Sequence, residues 1–217
     1  MTHRPNDMTP ENLQGSDTGS VNIASILFKS GTSQAEIDSV VWTLLKQGHR
    51  SALDYIFEKY VRLLYAYGAT LCKDGALVED SIQDVFVELW NRREQLSQTD
   101  NIKFYLLKCL RRRIVRILSA AHREQTHQTL AAVEDDGLYT SIETDIIQLQ
   151  TASEQQKQLT EALGRLSKRQ REAVYLKFYE RMTYEQLSEV LEIDLKSTYK
   201  LIGKAIDALR KGVRFIS

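Results

Sequence analysis

The sequence predicts an all-α protein: two small helical domains joined by an acidic linker, the second containing a helix-turn-helix. Three observations predict it. Apolar residues recur at helical spacing through most of the chain, and its only two prolines, Pro5 and Pro10, both fall in the first ten residues. Charge is segregated although the net charge is zero. Residues 51–118 carry 11 basic and 9 acidic side chains and residues 155–217 carry 13 and 8, whereas residues 119–154 carry 1 and 7. Finally, two capping-box sequences, Ser167-Lys168-Arg169-Gln170 and Thr183-Tyr184-Glu185-Gln186, follow each other closely near the C-terminus, as a short helix pair requires.

The elements follow in order. Residues 1–34 are rich in Thr, Asn, Gly and Ser and read as a mobile tail, with one apolar patch from Val21 to Phe28. A first helix is predicted over Glu36 to Gln47 from Ile37, Val40, Val41, Leu44 and Leu45, with Gly48 as its stop. A second runs from about Ser51 to Leu71 and ends at Lys73-Asp74-Gly75. A third covers about Leu77 to Arg92, and a fourth follows the candidate cap Asp100 to about Leu118. These make a first domain over 35–120. Residues 121–153 read as a solvated acidic linker, with a short helical stretch from Ser141 to Leu149. In the second domain, 154–217, Ser167 opens a helix to about Tyr179 and Thr183 one to Leu191. After a turn at Glu192-Ile193, Asp194 caps a helix to about Lys211.

Three of these helices carry candidate chemistry. On the last, Leu195, Thr198, Ile202, Ala205, Ile206 and Leu209 share one side, and Lys196, Lys200, Lys204 and Lys211 the other. As the second helix of a helix-turn-helix it would enter a major groove, so Lys196, Ser197, Lys200 and Lys204 are candidate DNA contacts. The plainer alternative is a lysine-decorated solvent face. The fourth helix sets Leu106, Leu107, Leu110 and Ile114 against Tyr105, Lys108, Arg112 and Arg116, with Arg111 and Arg113 adjoining. An aromatic ring among cations suits single-stranded or melted DNA, where the ring stacks on a base and the cations hold the backbone. The alternative puts Tyr105 partly in the core. On the third helix Ile82, Phe86 and Leu89 form a buried side, and Asp80, Asp84 and Glu88 stand four apart on another. Such like-charge neighbours cost an isolated helix a few tenths of a kcal/mol per pair. A basic protein partner would account for them, with Val87 or Trp90 as apolar anchor; the alternative is chance surface charge.

The catalytic and metal-binding classes find no support. There is no glycine-rich phosphate loop, and His122 and His127 lie five apart, one residue too far for a helical ligand pair. Cys72 and Cys109 have no C-x-x-C partner and read as small core or boundary residues. No apolar run approaches the roughly 18 residues of a spanning helix, and the N-terminus has no basic-then-apolar leader, so cytoplasmic residence without membrane insertion is the expectation.

The stretch Val78-Glu79-Asp80-Ser81-Ile82-Gln83-Asp84-Val85-Phe86-Val87-Glu88-Leu89-Trp90 resembles the second conserved region of the extracytoplasmic-function group of the sigma-70 family. Leu166 to Val174 and Met182 to Ser188 resemble its fourth region. The resemblance covers everything but tail and linker. It implies a transcription initiation subunit that is not an enzyme, has no obligatory cofactor, and has core RNA polymerase, promoter DNA and an anti-sigma factor as partners. Asp80, Asp84, Phe86, Val87, Glu88 and Trp90 would lie in or support the helix that holds the polymerase clamp. Tyr105, Lys108, Arg112, Arg113 and Arg116 would lie near the −10 element, and Lys196, Ser197, Lys200 and Lys204 in or beside the −35 groove. The style looks like Bacteroidetes members linked to outer-membrane nutrient uptake. Three positions depart from the family pattern. Glu192 replaces the usual turn glycine, Leu201 stands where many members have a polar residue, and Arg111-Arg112-Arg113 replaces a mixture of Asn, Asp and Arg.

Two other functions fit parts of the sequence. An autonomous helix-turn-helix regulator would bind duplex DNA alone, often as a dimer, and would leave the acidic third helix idle. A helical adaptor that does not bind DNA would tolerate neutralising Lys196, Lys200 and Lys204.

Overall fold

The computed structural model describes residues 32–128 and 154–212; the Val21–Phe28 patch and the predicted 141–149 helix lie outside them. Within these residues the chain is helical throughout, with no β-strand and no helix long and apolar enough to cross a membrane.

The first body comprises α1 (Gln34–Lys46), α2 (Arg50–Leu71), α3 (Gly75–Asn91), a 3-10 turn (Arg93–Gln95) and α4 (Ile102–Gln128). Ser33 and Glu36 form a capping box on α1, each side chain accepting the other's backbone N–H. Those hydrogen bonds hold the Glu36 carboxyl below its usual range. Gly48 closes the α1–α2 turn at φ +87°, a conformation that favours glycine. The central helix is α2, with Ile56, Leu64 and Tyr67 fully buried against α3 and α4. The α2–α3 crossing depends on Gly68, where an added Cβ would lie 2.5 Å from Val78 Cγ1. Asp74 caps α3 by accepting the Leu77 amide hydrogen at 3.1 Å, so that helix starts two residues before its predicted first residue.

Two expectations for α4 are corrected. Its capping side chain is Asn101, whose Oδ1 accepts the Phe104 N–H at 3.0 Å, and not Asp100. The buried N–H of Ile102, without an intrahelical acceptor, instead donates to the buried Asp38 of α1 at 2.9 Å, and Tyr60 also donates to Asp38. This carboxylate therefore ties α1 and α2 to the start of α4. At its other end α4 continues ten residues past Leu118, to Gln128. The segment has no apolar periodicity to signal a helix, but extending an established helix adds one hydrogen bond per residue without repeating the nucleation cost.

The second body comprises α5 (Glu154–Gly164), α6 (Lys168–Val174) continuing as a π turn (Tyr175–Tyr179), α7 (Tyr184–Leu191) and α8 (Leu195–Gly212). Both predicted capping boxes form: Ser167 with Gln170, and Thr183 with Gln186. Asp194 caps α8, accepting the Ser197 N–H at 2.8 Å. Helix α8 packs on α5, α6 and α7 through Thr198, Ile202 and Ala205.

The two bodies do not stand apart. Helix α2 touches α6, α4 touches α7, and one continuous apolar core runs from Val41 to Ile202. Tyr67 stacks on Tyr175 with ring centroids 6.0 Å apart, and Tyr175 on Tyr179 at 5.0 Å.

Candidate functional site

Helix α3 buries Val78, Ile82, Val85, Phe86 and Leu89, which turns the opposite edge outward. Asp80, Val87 and Glu88 are exposed there, and Val87 keeps 53% of its surface in solvent. A valine that exposed beside carboxylates is a usable apolar contact for a partner. Trp90 is half-buried, and the Arg93 guanidinium covers its ring 4.6 Å from the centroid. Phe86 is buried and packs edge-on against Phe57, so it supports the helix from inside. Asp84, expected to be exposed, is half-buried and ion-paired with Arg113. That pair joins two residues assigned to different surfaces by sequence.

Along α4 the apolar side closes as expected on Leu106, Leu107, Leu110 and Ile114. Tyr105 is half-buried, edge-on to Trp42 with centroids 4.9 Å apart. Burial, followed by the neighbouring Cys109 thiol, raises its phenol pKa well above the ordinary range. Burial likewise pushes up the Cys109 thiol, while Cys72 is buried in the core. Arg116 is exposed and forms no ion pair among the described residues.

Four other α4 cations, Lys103, Lys108, Arg111 and Arg112, meet acidic groups of the second body, an arrangement without a signal in the sequence. Lys103 donates to the backbone oxygen and the carboxylate of Glu180, at 2.9 and 3.3 Å. Lys108 pairs with Glu189 at 3.0 Å, and Arg112 donates from Nε and Nη2 to Glu192 Oε1, both at 3.1 Å. Arg111 and Glu172 form a buried pair at 2.7 Å, and Tyr67 Oη donates to the same Glu172 oxygen at 2.7 Å. Burial, with Glu172 alongside, holds the Tyr67 phenol far above its usual pKa. Burial opposes the charge on Arg111, but Glu172 outweighs it and raises the guanidinium pKa.

On α8, Lys196, Lys200 and Lys204 are exposed on the face opposite the buried Thr198, Ile202 and Ala205. Gly203 is open, with nothing within 4 Å of an added Cβ, so a backbone edge could approach a groove there. Ser197 is half-buried, and its hydroxyl donates to Asp194 Oδ2 at 2.6 Å, so it serves the helix cap. Leu195, grouped by sequence with the buried side, is 40% exposed. Tyr199, missed by sequence reasoning, is exposed beside the lysines and stacks on Tyr184 with centroids 4.0 Å apart. The turn before α8 has its non-glycine residue in the left-handed region: Glu192 at φ 53°, ψ 48°.

Between the bodies lies an apolar groove of about 1280 Å³, lined by Phe57, Val61 and Tyr65 of α2 and by Leu159, Leu163 and Phe178. Among the described residues no group of three or more His, Cys, Asp or Glu could hold a metal ion.

Two family models match the chain: sigma-70 region 2 over residues 56–124, and sigma-70 region 4 over residues 156–209. Among curated proteins, the ECF RNA polymerase sigma factor SigK of Mycobacterium ulcerans (strain Agy99) is 21% identical over 168 residues, covering 76% of this chain and 88% of SigK. SigK of Mycobacterium sp. (strain JLS) is 25% identical over 172 residues, covering 77% and 87%. Among solved structures, the sigma factor RpoE in complex with the anti-sigma factor NepR from Bartonella quintana aligns with a TM-score of 0.53 at 20% identity, covering 72% of this chain and 92% of that one. CnrH, in complex with the cytosolic domain of CnrY, aligns with a TM-score of 0.51 at 17% identity, covering 80% and 95%.

Proposed function

The chain belongs to the extracytoplasmic-function group of the sigma-70 family and is an RNA polymerase sigma factor, and from that premise we propose how its surfaces divide the work. The exposed edge of α3, Asp80, Val87 and Glu88 with Trp90 at its end, docks on core polymerase, with Asp84 bridging to α4. The observation that carries this is Val87, exposed on a helix whose other valines are buried and flanked by carboxylates. Tyr105, Lys108, Arg112, Arg113 and Arg116 serve the −10 element and its melted strand. Lys196, Lys200 and Lys204, with Ser197 fixing the first turn of α8, meet the −35 groove. The functional division is a region 2 body over 35–120, a linker over 121–153 and a region 4 body over 154–217, acting in the cytoplasm and without catalysis of its own.

The interdomain groove supports an anti-sigma partner. Its walls come from both bodies, and Phe178 and Tyr179 beside it are 55% and 72% exposed, more aromatic surface than a free domain leaves uncovered without a use. An amphipathic helix laid there would clamp the two bodies together. RpoE and CnrH were each solved with an anti-sigma partner or its cytosolic domain. From the overall style of the sequence we also propose a role beside outer-membrane nutrient uptake in the Bacteroidetes.

The test is salt-dependent binding of the purified chain to bacterial core RNA polymerase, with and without a library of promoter fragments. Binding followed by enrichment of a two-element promoter is expected. Asp80→Lys, at an exposed position with no ion pair among the described residues, should abolish the complex and leave the helical content intact. Retention of particular duplexes by the chain alone, with no polymerase complex, would overturn the assignment in favour of an autonomous regulator.

A further inference from the structure

We propose that region 4 of this chain acts as an internal mimic of the promoter backbone. Its carboxylates occupy the α4 cations that would otherwise hold the −10 strand, so the closed arrangement excludes DNA from that face. The inference rests on the −10 role proposed for α4, and adds that its ligand in the free protein is the chain itself.

The geometry is one of matched rows. Lys108 and Arg112 stand one helical turn apart on α4, and Glu189 and Glu192 stand three residues apart at the end of α7. Each cation therefore meets one carboxylate, as it would meet one phosphate along a strand. Arg112 donates from two nitrogens to one Glu192 oxygen, charge-assisted hydrogen bonds of the kind a single phosphate oxygen would also accept. The left-handed conformation of Glu192 is part of the arrangement, since a glycine there would meet the turn geometry but present no carboxylate. The third member, Arg111, is taken by Glu172 beneath the exposed pairs.

The occupied cations are a large share of the −10 candidates. With Arg113 engaged by Asp84 and Tyr105 packed on Trp42, Arg116 alone of the candidate cations forms no ion pair among the described residues. A strand bound to the closed form must displace the Glu189 and Glu192 pairs. A partner that draws region 4 away, as binding two separate promoter elements would, frees both cations together.

The test compares full-length wild type with Glu189→Gln/Glu192→Gln, titrating a short fluorescein-labelled oligothymidylate at several salt concentrations. Each phosphate contact on a single strand contributes about 0.7 to the slope of log affinity against log salt. Freeing Lys108 and Arg112 should therefore steepen that slope by about 1.4 and tighten low-salt binding roughly tenfold. Adding Lys108→Gln/Arg112→Gln should remove the gain. Asp54→Asn/Asp207→Asn removes two exposed carboxylates elsewhere, and should give no comparable gain. Unchanged affinity and slope in the first variant, or an equal gain in the Asp54/Asp207 control, overturns the proposal. Core polymerase binding by the wild type is measured in parallel. Its absence would fail the sigma reading, whereas the oligonucleotide comparison judges the mimicry by itself.

Discussion

Replacing Glu172 with Ala should open the molecule without unfolding it. The Glu172 and Arg111 side chains are only 7% and 10% exposed, and Glu172 also accepts the Tyr67 hydroxyl hydrogen. Removing one member of such a pair leaves a buried charge uncompensated, which costs about 3–5 kcal/mol. The cost falls on the closed arrangement, because Arg111 and Tyr67 belong to region 2 and Glu172 to region 4, so separating the bodies returns the guanidinium to water. The surviving exposed pairs, Lys108–Glu189 and Arg112–Glu192, contribute roughly 0.2–1 kcal/mol each and cannot offset it. The closed-to-open ratio should therefore fall by about two to four decades. Small-angle X-ray scattering should show a larger radius of gyration, with circular dichroism unchanged. An all-apolar variant, Tyr67→Phe/Arg111→Met/Glu172→Leu, should close again, since replacing the buried pair and the hydroxyl that serves it with apolar groups of similar volume is often neutral or stabilising. An unchanged radius for Glu172→Ala, or failure of the all-apolar variant to restore it, would refute the reasoning.

Three further outcomes are expected. Gly68→Ala should destabilise the protein by about 1–2 kcal/mol in urea titrations, because Cβ would press on Val78, yet stabilise a Val78→Ala background where that space is free; the same sign in both backgrounds would discount the crossing. Glu192→Gly should raise the stability of the second body by about 1 kcal/mol by relieving the left-handed residue, whereas Glu192→Ala should not; equal thermal shifts would mean the turn is unstrained. Tyr60, Tyr67 and Tyr105 all have raised phenol pKa values, chiefly from burial, so the folded state keeps protons that the unfolded state releases above about pH 10. Stability should then fall as pH rises beyond that value, and phenolate absorbance for these three should appear only with loss of helical signal. Their titration in the folded protein would contradict the burial.

Local chemistry in the sequence determined most of the helices and the caps of the second body, though not the Asn101 cap of α4. Ser167, Thr183 and Asp194 cap where their spacing to Gln170, Gln186 and Ser197 says they should, because a cap needs only neighbours within three residues. The buried stripe of α3 and the lysine face of α8 followed from periodicity for the same reason. A turn at Glu192-Ile193 was likewise implied by its place between two capped helices, while its left-handed backbone at Glu192 came from the structure. Periodicity could not show the extension of α4 to Gln128, which continues an existing helix without an apolar face of its own. The tertiary structure alone decided which carboxylates meet which cations. Arg111 and Glu172 are 61 residues apart and Tyr67 and Glu172 are 105 apart, while one buried oxygen takes hydrogen bonds from both. Sequence assigns each of these a charge and a helix face, but whether a charged face meets solvent, DNA or another helix is set by how the two bodies dock. That docking is a long-range match of shape and charge, with no local pattern to announce it.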